Sequence, residues 1–434
     1  MRPATFFCAS ILALTAPVFA QAADSPGPLS PIPTSELSAS FGVSTPEAEG
    51  LDSAKLVELT NWIRDNKPPI FSVLISRDGK LVYELYSSSL DRDEAHYVMS
   101  ITKSFTSALV GIAIDRKILP GVDAPLSKVL PQFLYAEKAD SARFANVTIK
   151  DVLGMSALDA DEPPHATTPE DVQRGKDFLA SKNRTAFALT QKTLPNPGVS
   201  YQYNDITPQL ATGMLEYATG KTALQFAQDA LFGPLGFRNQ EWMHEDATGI
   251  DNGAYGLRIR PIDMQKFGIL YLRDGLWNGR QLVSKAWVEL SFQPWIRAQP
   301  KLRQPNYGWY WWKDNFGAGW AAHVANGWKG QRIAVIPEQQ MVVTVTGDVE
   351  DGNAVEDKLF DDIMRNFIVP ASTQPKGGQP DPKVTAALAA ALAQVWAENL
   401  IPPKAEKRMI PSIIPKEKHH GFSPTALPAA SAAK

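Results

Sequence analysis

A serine and a lysine stand three residues apart at Ser100 and Lys103, within His96-Tyr97-Val98-Met99-Ser100-Ile101-Thr102-Lys103-Ser104-Phe105-Thr106. On a helix this spacing puts both side chains on one face, about one turn apart. The amine can then reach the hydroxyl and take the proton that a free serine keeps at neutral pH. Phe105, Leu109, Val110 and Ile112 follow at apolar positions, so the serine would open a buried helix, pinned by packing and exposed at its tip. The spacing alone decides little, because Ser431 and Lys434 repeat it near the end of the chain.

Two further stretches can join this pair. Pro195-Asn196-Pro197-Gly198 leads into Tyr201-Gln202-Tyr203-Asn204-Asp205, just before a helix expected from about Pro208 to Thr219. A phenol at Tyr203 can point into a cleft from there. Ala325-Asn326-Gly327-Trp328-Lys329-Gly330-Gln331 precedes a strand, and its glycines allow close backbone approach to a ligand.

Other chemistries find no support. The six histidines, His96, His165, His244, His323, His419 and His420, lack metal-ligand spacing, so no metal is expected. No G-x-S-x-G elbow, P-loop or dinucleotide fingerprint occurs, and no cofactor is expected. The tryptophans at 309, 311, 312, 320 and 328 read as core and sheet packing, with one or two at a pocket mouth.

The elements that must position these residues come from both ends of the chain. Asp52 reads as an N-cap for a helix carrying Leu56, Leu59, Trp62 and Ile63. Phe71–Ile75 and Leu81–Tyr86 flank Asp78-Gly79, a hairpin signal. Helices are expected over 147–153, 263–272 and 356–367, strands over 307–312, 333–336 and 341–346, and a polar loop over 156–170. Strands at both ends with helices between them argue for one sheet built from distant segments, with a helical lobe inserted.

At 434 residues, with 44% hydrophobic and 21% charged residues, the composition is that of a soluble globular protein. A net charge of −3 gives no argument for nucleic acid or an anionic membrane surface. Arg2, the apolar run Phe6–Leu14 and Ala20-Gln21-Ala22 read as an export signal over 1–22, and hence a periplasmic or secreted location. The single cysteine, Cys8, lies inside it, so the processed chain would hold no thiol and no disulfide. No other run is apolar for long enough to span a membrane. Residues 23–45 read as a proline-rich linker and 371–434 as a Pro/Ala/Lys-rich tail with one helix from about Pro382 to Leu400.

In this order and spacing the chain resembles the penicillin-recognising serine hydrolases. The resemblance is strongest to the branch of class C β-lactamases, β-lactamase-fold esterases and 6-aminohexanoate-dimer hydrolases. It implies an α/β (α+β) fold over 46–370. An antiparallel sheet flanked by helices (about 46–98 and 245–370) would stand beside an all-helical lobe (about 99–244), with the site between. It also implies Ser100 as the acylated serine, Lys103 as its partner, Tyr203 as the tyrosine of a Tyr-x-Asn motif and Gly327 as the glycine of a Lys-Thr-Gly box. The oxyanion would meet the backbone N–H groups of Ser100 and Trp328. Asp205, Asn326, Gly327 and Trp328 are the expected substrate-binding residues. Glu170 has no class A deacylation motif around it. Two positions depart from the family pattern: Asp205 replaces the motif's asparagine, and Ala325 and Asn326 replace the Lys and Thr of the box. The resemblance points to cleavage of a small amide or ester through an acyl-serine. A β-lactamase or D-alanyl-D-alanine carboxypeptidase, disfavoured by Ala325, and a non-enzymatic binding protein are the alternatives. Either Lys103 or Tyr203 can be the acylation base.

Overall fold

The computed structural model describes residues 42–87, 92–131, 142–161, 168–244, 247–297, 306–349 and 353–400. The expected export signal, all but the end of the linker, and the tail beyond 400 lie outside these residues.

Asp78 and Gly79 both take positive φ, 52° and 70°, the turn in which such a pair matches the twist of flanking strands. The chain thereby folds back from β1 (Ile70–Arg77) onto β2 (Lys80–Tyr86). The rest of the sheet comes from the far end of the sequence. It comprises β3 (Ile296–Arg297), β4 (Asn306–Tyr307), β5 (Trp312–Asp314), β6 (Ala322–Gly327), β7 (Gln331–Ile336) and β8 (Met341–Gly347). The order is β3-β4-β5-β6-β7-β8-β1-β2, antiparallel throughout, and β1 closes the gap by pairing with β8.

Alternation along the strands feeds two apolar layers, as the two-residue period of a strand requires. Val342, Ile333 and Val335 face a layer with α2 (Ile101–Asp115) and α4 (Pro261–Leu272), where Phe105 stacks on Phe267 with centroids 3.8 Å apart. Val343, Val345 and Ala334 face the other layer, made by α1 (Ser53–Asn66), α5 (Asn353–Ile363) and α6 (Pro382–Glu398). Asp52 caps α1, its carboxylate accepting from the Ala54 N–H at 2.8 Å. The helical lobe supplies α3 (Thr207–Thr219), which packs on α2.

Three expectations change. The strand expected over 307–312 divides, because Tyr310 takes φ 66° and its hydroxyl donates to the Val152 carbonyl. Trp309 and Trp311 flank it in the core, leaving only Tyr307 and Trp312 on strands. Glu170 sits in the first turn of the helix Pro169–Ala180, begun by a Thr168–Asp171 capping box, rather than at the end of a loop. Residues 371–400 pack rather than trail. Leu388, Ala391 and Val395 of α6 are buried, and the Gly377 N–H donates to the Ala48 carbonyl.

Candidate active site

Ser100 stands at the N-cap of α2, whose residues from Ile101 to Ala113 are all buried. The preceding Met99 is buried and holds φ 49°, a left-handed conformation costly for a residue with a side chain. That kink turns the chain from the short strand His96–Tyr97 into the helix. The local frame is held by the Val98 N–H donating to the Leu257 carbonyl and by Thr102 Oγ1 accepting from the Leu257 N–H.

Lys103 projects from the same helix face, and its Nζ donates to Ser100 Oγ at 2.9 Å. The same amine donates to Asp205 Oδ1 at 2.6 Å and to the Ala254 carbonyl at 3.1 Å, and it lies 4.9 Å from the Tyr203 ring centroid. Its side chain is 1% exposed. Burial disfavours the ammonium, but the Asp205 carboxylate and then the Tyr203 hydroxyl outweigh that, so the amine's pKa lies above its ordinary value. Tyr203 and Asp205 come from the extended segment before α3, anchored where the Gln202 N–H meets the Met155 carbonyl and where Asn204 Oδ1 caps the Thr207 N–H at 2.7 Å. The Ala254 carbonyl has no signature in the sequence pattern. A loop turned by Asn252, whose Oδ1 accepts from the N–H groups of Ala254 and Tyr255, delivers it.

The other wall is β6. A Cβ placed on Gly327 would lie 2.3 Å from the Val98 carbonyl oxygen, so only glycine allows the strand to approach the turn into α2 this closely. Ser100 and Trp328 thus flank one backbone contact. β5 pairs with β6 only as far as Val324, so the stretch Ala325-Asn326-Gly327 runs on past β5 next to the serine. Trp328 is 38% exposed and opens a tight turn, Trp328–Gly330, in which Lys329 takes φ 65°. The buried carboxylate of Glu356, on α5, accepts from the Lys329 and Gly330 N–H groups at 2.8 and 3.2 Å and holds that turn. Lys329 itself is buried against Asp348. Tyr307 and Trp312 pack beside Tyr203, with ring centroids 6.2 and 5.9 Å from its ring.

Ser100, Lys103, Tyr203 and Asp205 therefore converge, and Gly327 meets the turn that carries the serine. Asp205 is engaged by Lys103, so an incoming cation would have to compete with an internal one. Asn326 is half-buried in the middle of the wall. Among the described residues no group of three or more His, Cys, Asp or Glu side chains is placed to hold a metal ion.

An eight-stranded antiparallel sheet with a helical lobe, and a Ser-x-x-Lys pair at the start of the helix between them, are the marks of the penicillin-recognising fold. The Beta-lactamase family model matches residues 64–363, and the chain belongs to that family, whose fold it shares with serine hydrolases including 6-aminohexanoate-dimer hydrolase. An unguisins hydrolase from Aspergillus campestris is 26% identical over 176 residues, 38% of this chain and 30% of that one. A 6-aminohexanoate-dimer hydrolase from Paenarthrobacter ureafaciens is 22% identical over 247 residues, 55% of this chain and 60% of that one. Both matches span less than two thirds of the relative. The unliganded simvastatin synthase LovD from Aspergillus terreus superposes with a TM-score of 0.58 at 17% identity, covering 75% of this chain and 100% of that one. The fold expected from the sequence is the fold observed.

Proposed function

We propose that this protein cleaves an amide or ester bond through an acyl-serine formed on Ser100. The observation that carries this reading is the Lys103 amine, 2.9 Å from Ser100 Oγ and beside the Tyr203 ring. Ser100 Oγ attacks the carbonyl carbon and its proton passes to the Lys103–Tyr203 pair. Because Asp205 favours a charged Lys103, the acceptor is the oxygen of Tyr203 in its phenolate form, paired with the ammonium, and the phenol so formed is the donor to the leaving group. The oxyanion meets the N–H groups of Ser100 and Trp328, each such donor typically contributing about 3–4 kcal/mol. The proton then goes to the leaving amine or alkoxide, and water releases the acyl group. The edge at Ala325–Gly327 suits hydrogen bonding to an extended amide.

The 6-aminohexanoate-dimer hydrolase and unguisins hydrolase among the relatives support a hydrolytic role. Penicillins fit poorly. Ala325 is buried and uncharged where the β-lactamase pattern has a substrate-binding lysine. Loss of one charge-assisted hydrogen bond, about 1.5–3 kcal/mol, lowers efficiency roughly ten- to a hundredfold. The test is kcat/KM for p-nitrophenyl acetate and butyrate, small linear amides and nitrocefin on one sample. Turnover of esters or amides with weak nitrocefin cleavage is expected. Nitrocefin as the best substrate by far would overturn the substrate reading, and no turnover of anything would favour a binding protein.

A further inference from the structure

The ion pair between Lys103 and Asp205 is more than a Ser-x-x-Lys pair needs. The amine touches serine, carboxylate and the Ala254 carbonyl at once, within 3.1 Å of each. We propose that Asp205 sets the working pH of the site: its carboxylate keeps the buried amine charged and raises the pH at which the Lys103–Tyr203 cluster yields the proton that arms Ser100. The inference rests on the acyl-serine reading and adds a residue to it.

The charge balance around the cluster points one way. Ser100 faces the amine from α2, Tyr203 and Asp205 from the segment before α3, Ala254 from its loop, and Tyr307 lies beyond Tyr203 on β4. Tyr307, together with Tyr201 and Tyr310 that also face Tyr203, is held in its neutral form by burial, each with its pKa well above the usual phenol range. Asp205 is therefore the full negative charge in this set. Burial alone would strip the amine's proton at a lower pH, and the carboxylate reverses that direction. An amide at this position, as in the Tyr-x-Asn pattern, would contribute a dipole and no charge. One fixed anion acts on the cluster as a whole, so the sign holds whichever member receives the serine proton. A charge-setting carboxylate is a positioning residue, acting on the substrate through Lys103.

The experiment is the pH profile of kcat/KM for p-nitrophenyl butyrate with wild type, Asp205→Asn and Asp205→Glu, together with fluorophosphonate labelling of Ser100 at each pH. In Asp205→Asn the acid limb is expected to move down by roughly one to three pH units, the usual effect of a full charge at this range. Asp205→Glu keeps the charge and is expected to hold the limb near its wild-type position even if the rate falls. A merely structural role would scale the rate and leave the limb in place, which overturns the proposal, as does a Glu variant that moves as far as Asn. Should Asp205→Asn fail to fold, the wild-type labelling rate decides. A rate still climbing above about pH 8 supports the proposal, and a plateau reached below about pH 7 overturns it. Wild type that neither turns over ester nor labels at Ser100 removes the acyl-serine reading itself, a result distinct from an active enzyme whose limb does not move.

Discussion

Gly327 and Val98 touch backbone to backbone: a Cβ on the glycine would stand 2.3 Å from the Val98 carbonyl oxygen, two residues before Ser100. The contact ties the sheet wall to the start of α2. Gly327→Ala must push the strand and the helix start apart, and overpacking of this kind costs about 1–3 kcal/mol. We expect a modest fall in Tm and at least a tenfold fall in kcat/KM, since small displacements at a reacting centre are costly. Thermal melts and ester kinetics on one preparation check this. A variant with wild-type kcat/KM would mean that the contact does not position the site.

Residues 371–400 are tied to the body of the domain by hydrogen bonds as well as by apolar packing. Arg77 Nη1 donates to the Ser372 carbonyl, the Asp52 N–H to the Ala371 carbonyl, and Arg64 Nη1 to Gln394 Oε1 at 2.6 Å. Removing residues after 400 leaves each of these contacts in the chain and serves as the reference truncation. Removing them after 369 uncovers the apolar face of α1 and part of β2 and should lower Tm by many degrees. Equal melting temperatures for the two truncations would contradict the packing role of α6.

His96 predicts a direction for acid stability. It is buried, stacked on Phe71 and pairs across strands with Ile259. Burial, helped by the nearby Arg258 charge, pushes its pKa down to about 4. The unfolded chain binds a proton below about pH 6.5 that the folded chain refuses until about pH 4. Stability is thus present above 6.5 and falls as pH drops through that window, by roughly 3 kcal/mol from this group. His323, also lowered to about 4, acts in the same direction. His96→Phe should melt with a shallower dependence between pH 6.5 and 4.5 than wild type. Parallel curves would show that His96 contributes nothing to it.

Much of this arrangement was legible in the sequence where local chemistry and tertiary packing agree. Asp52, the Asp78-Gly79 turn and the β-branched run of β8 each do what their residue types favour. Ser100 and Lys103 were legible because helical spacing is a geometric fact once α2 is granted. What was not legible came from contacts between distant segments. The Trp309–Trp311 stretch has strand-like composition, yet Tyr310 bends it to reach Val152. β6, with Ala322, His323, Ala325 and Asn326, has weak strand propensity and is made a strand by β5 and β7 on either side. Asp205 stands out in the sequence as a carboxylate where the motif has an asparagine, but its partner across 102 positions, Lys103, cannot be read from spacing.

Hydrolysis through Ser100 requires that its hydroxyl be acylated, and mass spectrometry of the intact protein after fluorophosphonate treatment tests this most directly. One adduct is expected, mapped by peptide analysis to Ser100, absent from Ser100→Ala, with ester turnover in that variant reduced about a thousandfold or more. A label on any other residue, or hydrolysis that survives Ser100→Ala, would contradict it.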